Sequence, residues 1–176
     1  MEGLTDLRCL SARDCGLTDI SVLSDIKTLE YILLGFNEIT NVLPQLGANA
    51  EGRGIYCLDL AQNKVSDITP LMTNCNCYDL VLVGNPITKY STEKENCLLD
   101  RIWIDYFDGI ENADLRPLDF MSVVGCPRKV MQPLSEKYFT VKFNTRAEQL
   151  ELMKSTISSY TNYDGFEEEF LAIPEP

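Results

Sequence analysis

LDLAQNKVSDITPL, from Leu58 to Leu71, sets apolar residues Leu58, Leu60, Val65, Ile68 and Leu71 around a lone Asn63. Leu58 and Leu60, two apart, predict a short strand with one face buried. Asn63, Val65 and Ile68 then carry the chain out of that strand and back across the protein. A unit this small cannot bury its own apolar side, so it needs similar units stacked against it.

The chain supplies them. On the pattern LxxLxLxxNxI, the first copy reads Leu7, Leu10, Ala12, Cys15, Leu17, followed by Ile20 and Leu23. The second is Leu29, Ile32, Leu34, Asn37, Ile39, and the third is Ile55, Leu58, Leu60, Asn63, Val65. The fourth is Cys77, Leu80, Leu82, Asn85, Ile87, and the last is Leu99, Ile102, Ile104, Phe107. Starts at 7, 29, 55, 77 and 99 are spaced by 22, 26, 22 and 22 residues. The longer step contains GANAEGRG, Gly47 to Gly54, which reads as a loop.

These copies resemble leucine-rich repeats of the short bacterial type found in internalin-like proteins. GLTDISVL (Gly16 to Leu23) and KVSDITPL (Lys64 to Leu71) carry the likeness most closely, and it extends from Leu4 to Leu118. The resemblance implies an α/β fold: a right-handed leucine-rich-repeat solenoid with a parallel β-sheet on its concave face. The asparagine sits where the chain turns inward and can satisfy buried backbone groups there. Cys15 is a tolerated replacement in such repeats and Phe107 is not, so the asparagine ladder is expected to stop before Phe107. Leu4 corresponds to Ile26 of the next turn, so Met1 enters part-way through a repeat. Either a short irregular cap precedes Leu7 or the native start is missing. An uncapped first repeat would invite pairing of its open strand edge.

After Phe107 the period fails. Asp114 to Leu118 echoes the DITPL phrase, displaced by about three residues. Phe120 to Gly125 reads as a strand, and Cys126 to Tyr138 as a short helix with Pro127 in its first turn and Pro133 disturbing its middle. Phe139, Val141 and Phe143 alternate as in a half-buried strand. Thr145 and Glu148 then form a capping box ahead of a helix with the apolar stripe Leu150, Met153, Ile157. The predicted organisation is a repeat domain of about five repeats over 1–118, a small C-terminal αβ cap over 119–160 shielding the open end of the sheet, and an acidic tail over 161–176.

Composition bounds the function. The chain has 176 residues, 45% of them hydrophobic, enough for one substantial core. Fifteen basic against 27 acidic residues give a formal charge of −12, which would repel nucleic acid and anionic membranes. No signal peptide or membrane-length apolar run is evident. The seven cysteines are odd in number and lack metal-site spacing, so they read as reduced thiols in a cytoplasmic protein, or in a secreted one if a leader has been removed. Without any histidine, Ser-His-Asp and Cys-His catalysis and His-ligated metals are excluded within the chain. No cofactor is implied.

On the repeat pattern, the strand positions between anchors form three rows on the concave side. These are Cys9, Tyr31, Cys57, Asp79, Arg101; then Ser11, Leu33, Asp59, Val81, Trp103; then Arg13, Gly35, Ala61, Val83, Asp105. Trp103, Tyr31, Leu33, Val81 and Val83 would then be exposed, and exposed aromatics beside arginine are what protein interfaces select. The alternatives are that the cap or a neighbouring copy covers this face, or that it is only mildly apolar surface. The expected function is therefore non-catalytic binding of a protein partner, carried by Tyr31, Leu33, Phe36, Asp59, Val81, Trp103 and Tyr106. Other readings are an intracellular inhibitor or immunity-type protein, an internalin-like surface adhesin, and an enzyme using the segment after Phe120. For the enzyme, Cys126 between strand and helix is the candidate thiolate, although Pro127 removes a helix N–H donor. Asp105 with Asp108, and Glu111 with Asp114, read as a solvated rim, and Glu167 to Glu169 as a solvated tail.

Overall fold

In the computed structural model, residues 6–42, 54–74, 76–92, 98–115 and 118–157 are described. Among these residues seven strands are ordered along the chain: β1 (Cys9–Ser11), β2 (Tyr31–Leu33), β3 (Ile55–Asp59), β4 (Asn76–Val81), β5 (Leu98–Asp105), β6 (Phe120–Val124) and β7 (Thr140–Asn144). They form one sheet in the order β1-β2-β3-β4-β5-β6-β7, and every pair is parallel. The protein is thus α/β with an all-parallel sheet. Cys9, Tyr31, Cys57, Asp79, Arg101, Phe120 and Thr140 stand side by side in successive strands.

One face of the sheet holds the main core. Leu10, Ile32, Leu58, Leu80, Ile102, Met121 and Val141 form one row of it, and Ala12, Leu34, Leu60, Leu82, Ile104, Val123 and Phe143 another. The returning segments close over these rows with Ile20, Leu23, Ile39, Val65, Ile68 and Leu71. Anchors of the central strands are fully buried, whereas Leu7, Leu10, Ala12 and Leu17 of the first layer are only partly so.

Each inward turn repeats one device. Asp14, Phe36, Gln62 and Gly84 all have positive φ, at 50°, 60°, 52° and 76°. This left-handed residue swings the next side chain under the preceding layer. There Asn37 Oδ1 accepts from the Cys15 and Leu17 amides, and its Nδ2 donates to the Ala12 and Leu34 carbonyls. Asn63 and Asn85 repeat the pattern one and two layers on. Phe107, buried in the same place, can do none of this, so the ladder ends at Asn85 as the sequence led one to expect.

Two expectations for 119–160 are corrected. The strands at 120–124 and 140–144 do not build a separate cap over the end of the sheet. They extend it, pairing in parallel as β6 and β7. Three helices accompany the described strands: α1 (Thr69–Asn74), α2 (Arg128–Lys137) and α3 (Arg146–Ile157). α2 packs beside β7 on the core side through Val130 and Leu134 and retains Pro133 inside it. α3 opens on the expected capping box: the Thr145 amide donates to Glu148 Oε2 at 2.8 Å, and the Glu148 amide to Thr145 Oγ1 at 3.3 Å. It lies against the other face of the sheet, not over its open end. The 47–53 loop, Arg116, Pro117 and the acidic tail fall outside the described residues.

Candidate functional site

The face opposite the main core carries the three rows read as concave, each lengthened by β6 and β7. Its centre is not exposed. Leu33, Asp59, Val81 and Trp103 are at most 1% accessible. They join Cys57, Ala61 and Val83 in a second apolar cluster that includes Leu150 and Met153 of α3. Of the seven residues picked for partner contact, Tyr31, Phe36 and Tyr106 stay half-buried and Asp59 is buried, and the expectation that Leu33, Val81 and Trp103, with Val83, would be exposed is overturned. α3 docks on β6 and β7 and joins this cluster through Leu150 and Met153, while toward β1 Arg13 and Arg101 lie against Asp59 and Asp79.

Polar groups on this face pair with one another. Arg146, 2% exposed, reaches Asp105 Oδ1 at 2.6 Å and donates to Gln149 Oε1 at 2.6 Å. Gln149 Nε2 in turn donates to the Ile104 and Ser122 carbonyls at 3.3 and 3.0 Å. Asp105 also accepts from the Gly84 amide at 2.7 Å. Nearby, Asp79 accepts from Trp103 Nε1 at 3.1 Å and Arg101 at 2.9 Å. Toward β1, Arg13 stands 3.3 Å from Asp59 and over the Phe36 ring. Gly35 leaves room for that pair: a Cβ there would lie 2.7 Å from the Arg13 guanidinium and 2.9 Å from the Asp59 carboxylate and would push one or both aside.

Burial pushes the Asp79 carboxyl up to about 6, against the opposing pull of Arg101 and the Trp103 N–H. Its ordinary value is 3.8, so the folded state holds this proton more tightly than the unfolded chain. Stability from this group is therefore complete below about pH 4 and is lost as pH rises through about 6. An Asp79→Asn variant should gain on wild type by about 2 kcal/mol between pH 4 and 7.5, measured from urea midpoints at both. A difference that did not change with pH would remove the assignment.

Outside the covered face, the sheet presents a rim one residue before the first row. Arg8, Glu30, Tyr56, Tyr78, Asp100, Asp119 and Phe139 occupy it in strand order. Tyr31, Tyr56 and Tyr78 stack there with ring centroids 5.5 and 5.4 Å apart and planes 24° and 18° from parallel. Tyr78 is 46% exposed. Asp100 is held above the usual carboxylate range by burial and by neighbouring Asp119, so this end of the rim is crowded with negative charge. The sequence reading missed this ladder because it followed the rows between anchors; Tyr56 and Tyr78, 22 apart, were its visible signal.

The remaining candidates are dispersed. Burial and the Glu111 carboxylate push the Cys126 thiol up, away from the thiolate that a nucleophile needs. Asp108 accepts from the Tyr106 hydroxyl at 3.0 Å, and Asp114 is buried. An open groove between β7 and α3 is lined by Lys142, Asn144, Glu148, Glu151 and Leu152, with Cys126 and Arg128 elsewhere. Among the described residues no three His, Cys, Asp or Glu side chains are grouped to hold a metal ion, and no helix is long and apolar enough to cross a membrane. No protein-family model matches the chain, and no curated protein is significantly similar to it.

Proposed function

We propose that this chain is a leucine-rich-repeat solenoid acting as a non-catalytic module that binds a protein partner. The repeat reading is supported by the 22-residue recurrence, the strand order that follows the chain and the asparagine ladder joining layer to layer. The binding reading rests on one observation, the stacked Tyr31-Tyr56-Tyr78 ladder on the rim. Tyrosines held rigid by stacking offer large amphipathic contact area at low entropic cost, which is why interfaces select them. Because the centre of the concave face is buried, the proposed contact surface is this rim. Glu30 and Asp100 beside the ladder, with the net charge of −12, favour a basic partner surface.

The test compares wild type with a Tyr56→Ala, Tyr78→Ala double variant in pull-downs from the source cell's lysate, folding being checked by circular dichroism. A basic protein retained by wild type and recovered at least about tenfold less by the variant is the expected result. Equal recovery by both would remove the rim as the contact surface, and recovery by neither would remove the binding reading.

A further inference from the structure

We propose that copies of this chain associate head to tail, β1 of one copy pairing with β7 of the next and continuing the parallel sheet. Among the described residues neither strand has a partner on its outer edge. Both edges belong to the same sheet and run in the same direction, so the junction would repeat a pairing already made six times within the chain.

The register states which residues meet. Thr140, Val141 and Lys142 of one copy stand where Cys9, Leu10 and Ser11 of the next would follow. Within the sheet the Ala12 amide donates to the Leu33 carbonyl and the Tyr31 amide to the Arg8 carbonyl. On that pattern the Phe143 amide would meet the Ser11 carbonyl, and the Cys9 amide the Phe139 carbonyl.

Side chains at the two ends match. The first layer leaves Leu10, Ala12 and Leu17 half-buried, and the last leaves Val141 and Phe143 in the same state. Ala12 is the one small residue in a row otherwise of Leu34, Leu60, Leu82, Ile104 and Val123, and the row's other end is the large Phe143. Joined, the small and large ends fill one layer. Phe139, 89% exposed, would come beside Arg8, whose side chain is 70% exposed, a cation over an aromatic face. Charge adds little: around the first layer Asp6, Asp14, Asp19 and Asp25 are exposed with Arg8 and Lys27, and around the last Arg128, Lys129 and Lys142 with Glu136, Glu148 and Glu151. Because the two surfaces differ, the contact is heterologous and open-ended.

The experiment uses the full chain with Cys15→Ser and Thr140→Cys, treated with a short bis-maleimide at increasing protein concentration. Cys9 is an exposed thiol in β1, and its partner position across the junction is residue 140. A ladder of dimer, trimer and longer species that vanishes when Cys9→Ser is added is the expected result. In parallel, light scattering should show a mass that rises with concentration, and Phe139→Glu should move that rise to at least about tenfold higher concentration while leaving the protein folded. A monomer at every concentration, cross-linking indifferent to Cys9, or a series that stops at the dimer would each overturn the proposal. Tyr56 and Tyr78 are on neither edge, so loss of partner binding and loss of self-association are separable.

Discussion

Replacing Trp103 with alanine should cost about 3–5 kcal/mol of stability, the range for emptying a buried aromatic site. Trp103 is fully buried, packs its ring 5.1 Å from that of Phe120, and shares its cluster with Val81, Leu150 and Met153. Its Nε1–H also serves Asp79, so truncation leaves a buried carboxylate with Arg101 alone among these two donors. Trp103→Phe separates the contributions: most of the volume remains and the donor is lost, with an expected cost of about 1–3 kcal/mol. Urea midpoints with an unchanged slope are the measurement. A Trp103→Ala loss under about 1 kcal/mol would mean that α3 does not hold this face closed. As the chain's only tryptophan, Trp103 also makes intrinsic fluorescence a direct report on that closure in wild type.

Asn63→Ala should be comparably damaging for a different reason. Asn63 is 5% exposed, accepts from the Ile39 amide at 3.0 Å, and donates to the Leu34 and Leu60 carbonyls at 2.9 and 3.1 Å. Alanine leaves these groups buried without their partner, each at about 1–3 kcal/mol, and no water-filled space is needed to explain the loss. About 3–5 kcal/mol in total is expected, because neighbouring groups relax and the terms do not add fully. Asn63→Asp keeps the acceptor and gives up the donors, and should fall at least as far by burying a charge between carbonyls. If Asn63→Ala cost no more than an exposed substitution, within about 0.5 kcal/mol, the ladder would not be what ties the layers together.

Much of this architecture was readable because its signals are local. Leu58, Leu60, Val65, Ile68 and Leu71 sit at spacings that a single stacked unit dictates, and all five are fully buried. The capping box at Thr145 and Glu148 was legible for the same reason. The strands after Phe107 were found, but not their place in the sheet. Their partner positions are 19 and 20 residues apart, from Arg101 to Phe120 and on to Thr140, off the 22-residue period. The covered face was read as open, with cover by the C-terminal segment kept only as the alternative, although the sequence held its mark. Leu80 to Val83 and Ile102 to Ile104 are apolar without alternation, as in parallel strands buried on both faces. Leu150 and Met153 supply the second layer. What hid the Tyr56-Tyr78 rim is that stacking distance depends on strand register, which no single repeat reveals.

Strand order that follows chain order has a consequence for how the molecule is made. Each strand, as it emerges from the ribosome, meets a partner that is already in place, and no strand waits for sequence still to be synthesised. α3 is different: it comes after all seven strands, yet packs on β6 and β7 and joins the cluster of Leu33, Val81 and Trp103. Until it arrives, the part of that cluster beside β6 and β7 lacks Leu150 and Met153, and apolar surface left open in this way is what makes an incomplete chain prone to aggregate.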